Sequence, residues 1–251
     1  MSNAELTTAQ LLQLSRWNTP TIYNGWEAIT SRSSVDAVFN LEECVDYMPH
    51  LGPMVGYAVT VVVEPSNPNH PNENAEAWAE YRDYLAGVPG PKIVVVQDMD
   101  KPYTYGAFWG EVNSNVHRAL GCVGSVIDGA IRDVDEMTRA GFKAIAKRLC
   151  VGHAYSYPVK WNVPVEVFGC PVEPGQLIHG DKHGFMAIPD EDVPLLLDAS
   201  LFMDDNEMNT LVPAAKQAQW YGDNGFLEAF RNAEKRFGEA ARERFGKGGE
   251  F

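Results

Sequence analysis

The sequence predicts an α/β fold with a β-rich layer and a helical tail, and three observations carry that expectation. Through the middle of the chain, β-branched apolar runs alternate with stretches that have helix-type starts and stops. Short apolar runs then follow, punctuated by Pro164, Pro171, Pro174 and Gly175. After residue 190 the pattern turns helical.

Taken in order, LTTAQLLQLSRW (6–17) reads as a helix closed by Asn18 and Pro20. MVGYAVTVVV (54–63) is a β-branched run and reads as a strand. PSNPNHPNENAE has no packing pattern and reads as a loop, leading into a helix over AEAWAEYRDYLAG. KIVVVQD is a second buried strand, and DMDKPYTYGAFWGE a polar and aromatic loop. EVNSNVHRALG then has the form of a helix ended by Gly121, CVGSVIDG of a strand and VDEMTRAG of a helix. FKAIAKR, VPVEVFG, QLIHGD and GFMAIP are short strands, with VEPGQ a Pro-Gly turn. DVPLLLDASLFM and NEMNTLVPAAKQAQW precede a long helix in which Phe226, Phe230, Ala233, Phe237 and Phe245 form an apolar stripe. That stripe has either its own core or a neighbouring subunit to cover. No repeat, low-complexity tract or flexible linker argues for a second domain, so residues 1–251 read as one.

With 34 acids against 20 Lys and Arg, the formal charge is −14, which repels nucleic acid and anionic lipid. An anionic substrate would need a local site of N–H groups, Arg or a metal. Cys44, Cys122, Cys150 and Cys170 are widely spaced, as suits reduced thiols. The N-terminus has acids where a signal peptide needs positive charge, and no apolar run approaches a membrane span. A cytoplasmic protein is expected.

Two stretches carry candidate chemistry. GSVIDGAIRDVDEM (124–137) drops from a strand into Arg132-Asp133, at the edge where α/β sheets hold ligands. Asp133 with Glu136 also fits a D-x-x-E cap of the next helix, and that reading stays open beside the functional one. Gly110-Glu111 opens a helix whose free N–H groups at Glu111, Val112 and Asn113 would cradle an anion. It is equally a plain helix start with an acid favoured by the macrodipole.

Together, the Gly110-Glu111 start and the run VIDGAIRDVDEM resemble the signature of the RraA-like family. That family includes class II 4-hydroxy-4-methyl-2-oxoglutarate (4-carboxy-4-hydroxy-2-oxoadipate) aldolases and the regulator of ribonuclease E activity. VGYAVTV, GPKIVVVQD and VEPGQLIHGDKHGFMAIP resemble its early strand, the strand before the Gly-Glu loop, and its late turn and hairpin. TPTIYNG resembles the segment after the first helix, with Asn24 where an Asp is usual. The resemblance covers roughly residues 12–190 and leaves about 191–251 as a helical extension. It implies a layered αββα, phosphohistidine-domain-like fold, assembled as a trimer or a dimer of trimers with sites near subunit interfaces.

The resemblance also implies roles. Asp133 would anchor a divalent metal, Mg2+ or Mn2+. Arg132 would bind and polarise a 2-oxo acid. Glu111 would take part in proton transfer, although Asp is frequent there. Gly110 with the N–H groups of Val112 and Asn113 would hold the pyruvyl carboxylate. The implied function is a metal-dependent lyase, by retro-aldol cleavage of a 4-hydroxy-2-oxo diacid or oxaloacetate decarboxylation, releasing pyruvate through an enolate. Two alternatives remain: a protein-interaction module that inhibits a ribonuclease, or another reaction, such as tautomerisation or hydrolysis of an oxo acid, at the same site.

Several residues lie outside this scheme. His179 and His183 in LIHGDKHG read as a solvent-facing turn rather than a zinc pair. His153 follows a strand near the site and is a candidate substrate contact. Neither Lys92 nor Lys143 shows a context that lowers its pKa for Schiff-base chemistry. VGHAYSYPVKWNVPVEV departs from the family's arginine- and glycine-containing segment, and WNTPTIYNGWE and KPYTYGAFW add aromatic bulk, so the pocket walls differ. Asp204, Asp205 and Glu207 are the acids available to reach a neighbouring subunit's site, as some family members' C-terminal acids do.

Overall fold

The structure, a computed structural model, describes residues 6–36 and 38–247. The first five residues and the last four of the single-domain expectation lie outside the described residues, as does the acid at position 5 in the N-terminal reading. Contacts gather the described residues into two compact units, 7–19 with 38–190, and Leu6 with 20–36 and 191–247.

The elements run α1 (Thr8–Leu14), α2 (Thr19–Ile29), β1 (Val45–Asp46), a single 3-10 turn, β2 (Met54–Val63), α3 (His70–Glu73), α4 (Ala77–Gly87), β3 (Lys92–Asp98), β4 (Ala107–Trp109) and α5 (Glu111–Ala119). Next come β5 (Cys122–Ile131), α6 (Val134–Arg139), β6 (Lys143–Leu149), β7 (Pro158–Trp161), β8 (Val165–Val167), β9 (Cys170–Val172), β10 (Leu177–Asp181) and β11 (Gly184–Ile188). The tail is α7 (Val193–Asn209), α8 (Leu211–Lys216) and α9 (Ala218–Phe245). The α/β expectation holds, with corrections. Pro20 does not close the first helix; it sits at the start of α2, where its missing N–H costs nothing. The Pro- and Asn-rich loop contains α3, and the aromatic loop contains β4.

In the larger unit, β1-β6-β5-β3-β2-β10-β11 form one sheet, with β4 also on β5 and β7 on β2. Strands β2, β3, β5 and β6 are mutually parallel; the first three are buried on both faces, and β6 over its first four residues. Alternation divides them cleanly. Val59, Val61, Val63, Val94, Val96, Ile127 and Ala144 join Tyr81 and Leu85 of α4 in one core. Ala58, Val62, Ile93, Val95, Val126 and Ile145 join Val165, Val167, Phe168 and Val172 around the β8–β9 pair in the other. Each Val, Leu, Ile or Phe side chain among them contributes on the order of 1.5–3 kcal/mol by leaving water.

In the smaller unit, Ala233, Phe237 and Ala241 of α9 pack with Ala28, Met203 and Leu211. Ala233 and Phe237 of the apolar stripe therefore belong to a core of this unit, with Phe230 and Phe245 packed against it. Gly25 is needed there, since a Cβ would come within 2.5 Å of Ser200 Oγ. Trp26 Nε1 donates to Asp192 Oδ2 at 2.9 Å, and Arg244 pairs with Asp198 at 2.8 Å.

Candidate active site

The candidate site is built where two parallel strands end side by side. Strand β4 pairs with the end of β5, Ala107 opposite Ala130 and Trp109 opposite Ile131. The next residue in each chain direction is Gly110 or Arg132, and the Arg132 N–H donates to the Trp109 carbonyl at 3.1 Å. Backbone bonding thereby holds two successive strand-to-helix turns in register.

Asp133 does not cap its own helix. Its backbone is left-handed (φ 54°, ψ 45°), a conformation Asp tolerates better than most residues. The side chain turns to α5 instead, where Oδ2 accepts the Glu111 N–H at 3.0 Å. Glu136, the other half of the expected capping box, pairs with Arg139 at 2.7 Å. The D-x-x-E reading is overturned because the neighbouring helix offers Asp133 an orphan donor already aimed at it.

This contact explains Gly110. Its φ of −165° is open to any residue, but a Cβ would lie 2.7 Å from Asp133 Oδ2 and 3.3 Å from Arg132 Nε. Arg132 Nε stands 3.7 Å from Asp133 Oδ2, and both side chains stay more than a third exposed. Glu111's own N–H is taken by Asp133, so it leaves the expected anion cradle. The N–H groups of Val112 and Asn113 have no acceptor among the described residues, whereas that of Ser114 bonds Gly110 O. The Asn113 side chain donates to Phe108 O at 2.9 Å, and the Glu111 side chain has no partner among the described residues.

These residues line a cavity of about 420 Å³ together with Trp78, Arg82, Phe108, His153 and Ser156. His153 thus faces the cavity, its Nδ1 bonded to Ala154 O at 2.8 Å. Its backbone lies so close to Gly106 that a Cβ there would meet His153 O at 2.3 Å. Phe108 and Ser156 lie in the segments KPYTYGAFW and VGHAYSYPVKWNVPVEV expected to form pocket wall, whereas Trp78 and Arg82 were not singled out by sequence. The signal was faint: Trp78 and Arg82 stand one helical turn apart on α4, a spacing that places them on one face.

Among the described residues no three His, Cys, Asp or Glu side chains gather as a metal-binding group. The donors at hand are the Asp133 carboxylate, with one oxygen engaged, and the Glu111 carboxylate. Hard oxygen donors in that number fit a cation that retains waters and takes substrate oxygens, as Mg2+ or Mn2+ does.

The remaining candidates are placed elsewhere. His179 is buried in β10, contrary to the solvent-facing expectation: Nδ1 meets Thr19 Oγ1 at 3.0 Å and Nε2 meets Leu14 O at 3.2 Å, and burial holds its pKa down to about 4. His183 occupies the turn and bonds Asp181. Burial also lowers Lys92, against expectation, yet its Nζ is spent on the carbonyls of Leu85 and Val88. Lys143 is paired with Asp46. Both lysines start their strands, at the end away from the candidate site.

A family model described as Aldolase/RraA matches residues 19–187. The chain belongs to the RraA-like family. An uncharacterized protein of Methanocaldococcus jannaschii is 32% identical over 108 residues, 43% of this chain and 52% of that protein. The chain thus spans about half the length of that relative. A Halalkalibacterium halodurans protein named "Putative 4-hydroxy-4-methyl-2-oxoglutarate aldolase" is 27% identical over 157 residues, 62% of this chain and 69% of that one. Among solved structures, an uncharacterized protein from Pseudomonas syringae pv. tomato superposes with a TM-score of 0.70 at 18% identity, covering 92% of this chain and 97% of that one. Streptomyces coelicolor RraAS2, described as an unusual member of the RNase ES inhibitor RraA family, gives 0.61 at 20% identity, covering 81% and 94%. These two establish the RraA-like fold. The family holds both aldolases and ribonuclease inhibitors.

Proposed function

We propose that this RraA-like chain is a divalent-cation-dependent carbon–carbon lyase acting on a small 2-oxo acid and releasing pyruvate or a related enolate product. The observation that carries the reading is the convergence, on one cavity, of the Asp133 carboxylate, the Arg132 guanidinium and two uncommitted N–H groups at the start of α5. The aldolase name of the H. halodurans relative points the same way.

In this reading the substrate carboxylate sits on the N–H groups of Val112 and Asn113, where the helix start favours an anion. Gly110 keeps that approach open. Arg132 donates to the 2-oxo oxygen and holds the negative charge that develops there as the C3–C4 bond breaks. Glu111 takes the proton from the 4-hydroxyl, and a proton returned to C3 of the enolate yields pyruvate. With oxaloacetate the same bond releases carbon dioxide and no hydroxyl proton need be taken. A cation held by Asp133 would supply Lewis-acid polarisation of the oxo acid.

The assembly, a trimer or a dimer of trimers, belongs to the same proposal. Val112 (76% exposed) lies on the cavity wall, and Leu149 and Val151 (48% and 94% exposed) flank Arg132 and Asp133 on a neighbouring concavity. Such a surround suits cover by a second copy. Among the described residues, no helix is long and apolar enough to cross a membrane.

The test is a lyase screen over 2-oxo acids with Mg2+ or Mn2+. Pyruvate should form from oxaloacetate or 4-hydroxy-4-methyl-2-oxoglutarate, and a chelator should abolish it. No turnover of any 2-oxo acid, with tight binding to a ribonuclease, would replace this reading by the inhibitor one.

A further inference from the structure

The cavity that carries Arg132 has a second arginine on its lining. The Arg82 guanidinium carbon stands 5.1 Å from the centroid of the Trp78 ring, one turn earlier on α4. Trp78 is fixed in its turn, stacked on Phe108 at 5.7 Å with the rings 8° from parallel and set edge-on to Tyr157 at 6.0 Å. Resting on an aromatic face immobilises a guanidinium while leaving its N–H edge directed outward, the edge that forks onto a carboxylate.

Arg82 is exposed and has no hydrogen bond or ion pair among the described residues. That is unusual in a chain where acids outnumber Lys and Arg by 34 to 20. On the same lining, Ser156 Oγ is buried without a hydrogen-bond partner among the described residues. One lining therefore holds Arg132, the start of α5, Arg82 and the Ser156 hydroxyl.

We propose that Arg82, seated on Trp78, is the specificity determinant for the end of the substrate remote from the reacting carbon, and that it receives a second carboxylate. Arg82 is then what separates the 4-hydroxy-2-oxo diacids of the proposed function from monoacids of the same reacting core, which lack the group it binds. This rests on the lyase reading of the site.

The experiment compares wild type, Arg82→Gln and Arg82→Lys, each as the full chain with Mg2+, on 4-hydroxy-4-methyl-2-oxoglutarate and on 4-hydroxy-2-oxopentanoate, which has the same reacting groups but no distal carboxylate. A lost charge-assisted hydrogen bond should lower kcat/KM for the diacid roughly 10- to 100-fold in Arg82→Gln, mostly through KM, with Arg82→Lys in between. Turnover of the monoacid should stay within about twofold, since uniform binding at the remote end is all that is removed. Equal losses on both substrates, or no loss on either, would overturn the assignment. If wild type cleaves no 2-oxo acid, the lyase reading fails, and calorimetric titration with 2-oxoglutarate and with pyruvate still decides Arg82. Weaker 2-oxoglutarate binding in Arg82→Gln with pyruvate unchanged supports it; equal affinities refute it.

Discussion

Strand β5 carries Asp128 within it, and Asp133 follows two residues past its end; the two carboxylates live in opposite circumstances. The Asp128 side chain is wholly enclosed: Oδ2 accepts the Phe168 N–H at 2.9 Å and pairs with Lys101, while Oδ1 has no hydrogen-bond partner among the described residues and is faced by Lys147 Nζ at 3.7 Å. The Asp133 side chain is 37% exposed, gives one oxygen to the Glu111 N–H and leaves the rest of its capacity open beside Arg132. Charge that the protein pairs for itself ties β5 to the segments that carry Phe168, Lys101 and Lys147. Charge that it positions and leaves unsatisfied is what a ligand can use.

Neutralising each residue in turn should separate the two roles, with the largest effect at the open one. Asp133→Asn tolerates the left-handed backbone and keeps an oxygen for Glu111, so stability should change by no more than about 1 kcal/mol. Cation-dependent pyruvate release should nevertheless fall at least about 10³-fold, measured as kcat under saturating Mg2+. Normal turnover by this variant would remove Asp133 from the site. Asp128→Asn should show the reverse pattern. Stripping one partner from an enclosed ion pair costs about 2–3 kcal/mol here, since Lys101 and Lys147 can still reach solvent, and urea melts should show it. At temperatures where the variant is folded, its kcat should match wild type.

Gly110→Ala probes the contact between the two turns. The added methyl would stand 2.7 Å from Asp133 Oδ2, and the carboxylate must give way. A displacement of that kind costs about 10²-fold in turnover. Unchanged kcat/KM would mean that the Asp133 position seen here is not the one the reaction uses.

The contrast between the two aspartates was only half legible in the sequence. β2, β3 and β5 announce themselves because parallel strands buried on both faces must be continuously apolar. The three residues of β4 could not, since Ala-Phe-Trp inside an aromatic loop has no length over which to show a period. Yet β4 is what brings Gly110 beside Arg132. The partner of Asp133 was hidden for a related reason: a local D-x-x-E spacing is visible in one dimension, and an acceptor for a donor 22 positions away is not. His179 misled in the same manner, because its flanking glycines look like a turn while the strand continues through Gly180. Arg82 became a candidate only when Phe108 was seen to fix Trp78.

The smallest expected effect extends the comparison to a third carboxylate, Asp98, at the end of β3. It is buried, with Oδ1 accepting the Asp100 N–H at 2.9 Å and Oδ2 without a hydrogen-bond partner among the described residues. Burial raises its pKa to about 7, with the Asp100 N–H, Lys147 and Lys101 pulling the other way. Because the folded value exceeds that of the unfolded chain, the native state binds the extra proton between about pH 4 and 7. Asp98 therefore contributes stability that is full below pH 4 and lost as pH rises to about 7, while the unfolded chain is already ionised. Between pH 5 and 8 the loss should be on the order of 2 kcal/mol, read from urea midpoints. Asp98→Asn should flatten that slope and be the more stable protein at pH 8. An unchanged slope would mean that Lys101 and Lys147 neutralise Asp98 as fully as they do Asp128, and the distinction between enclosed and unsatisfied charge would have to be redrawn around three residues rather than two.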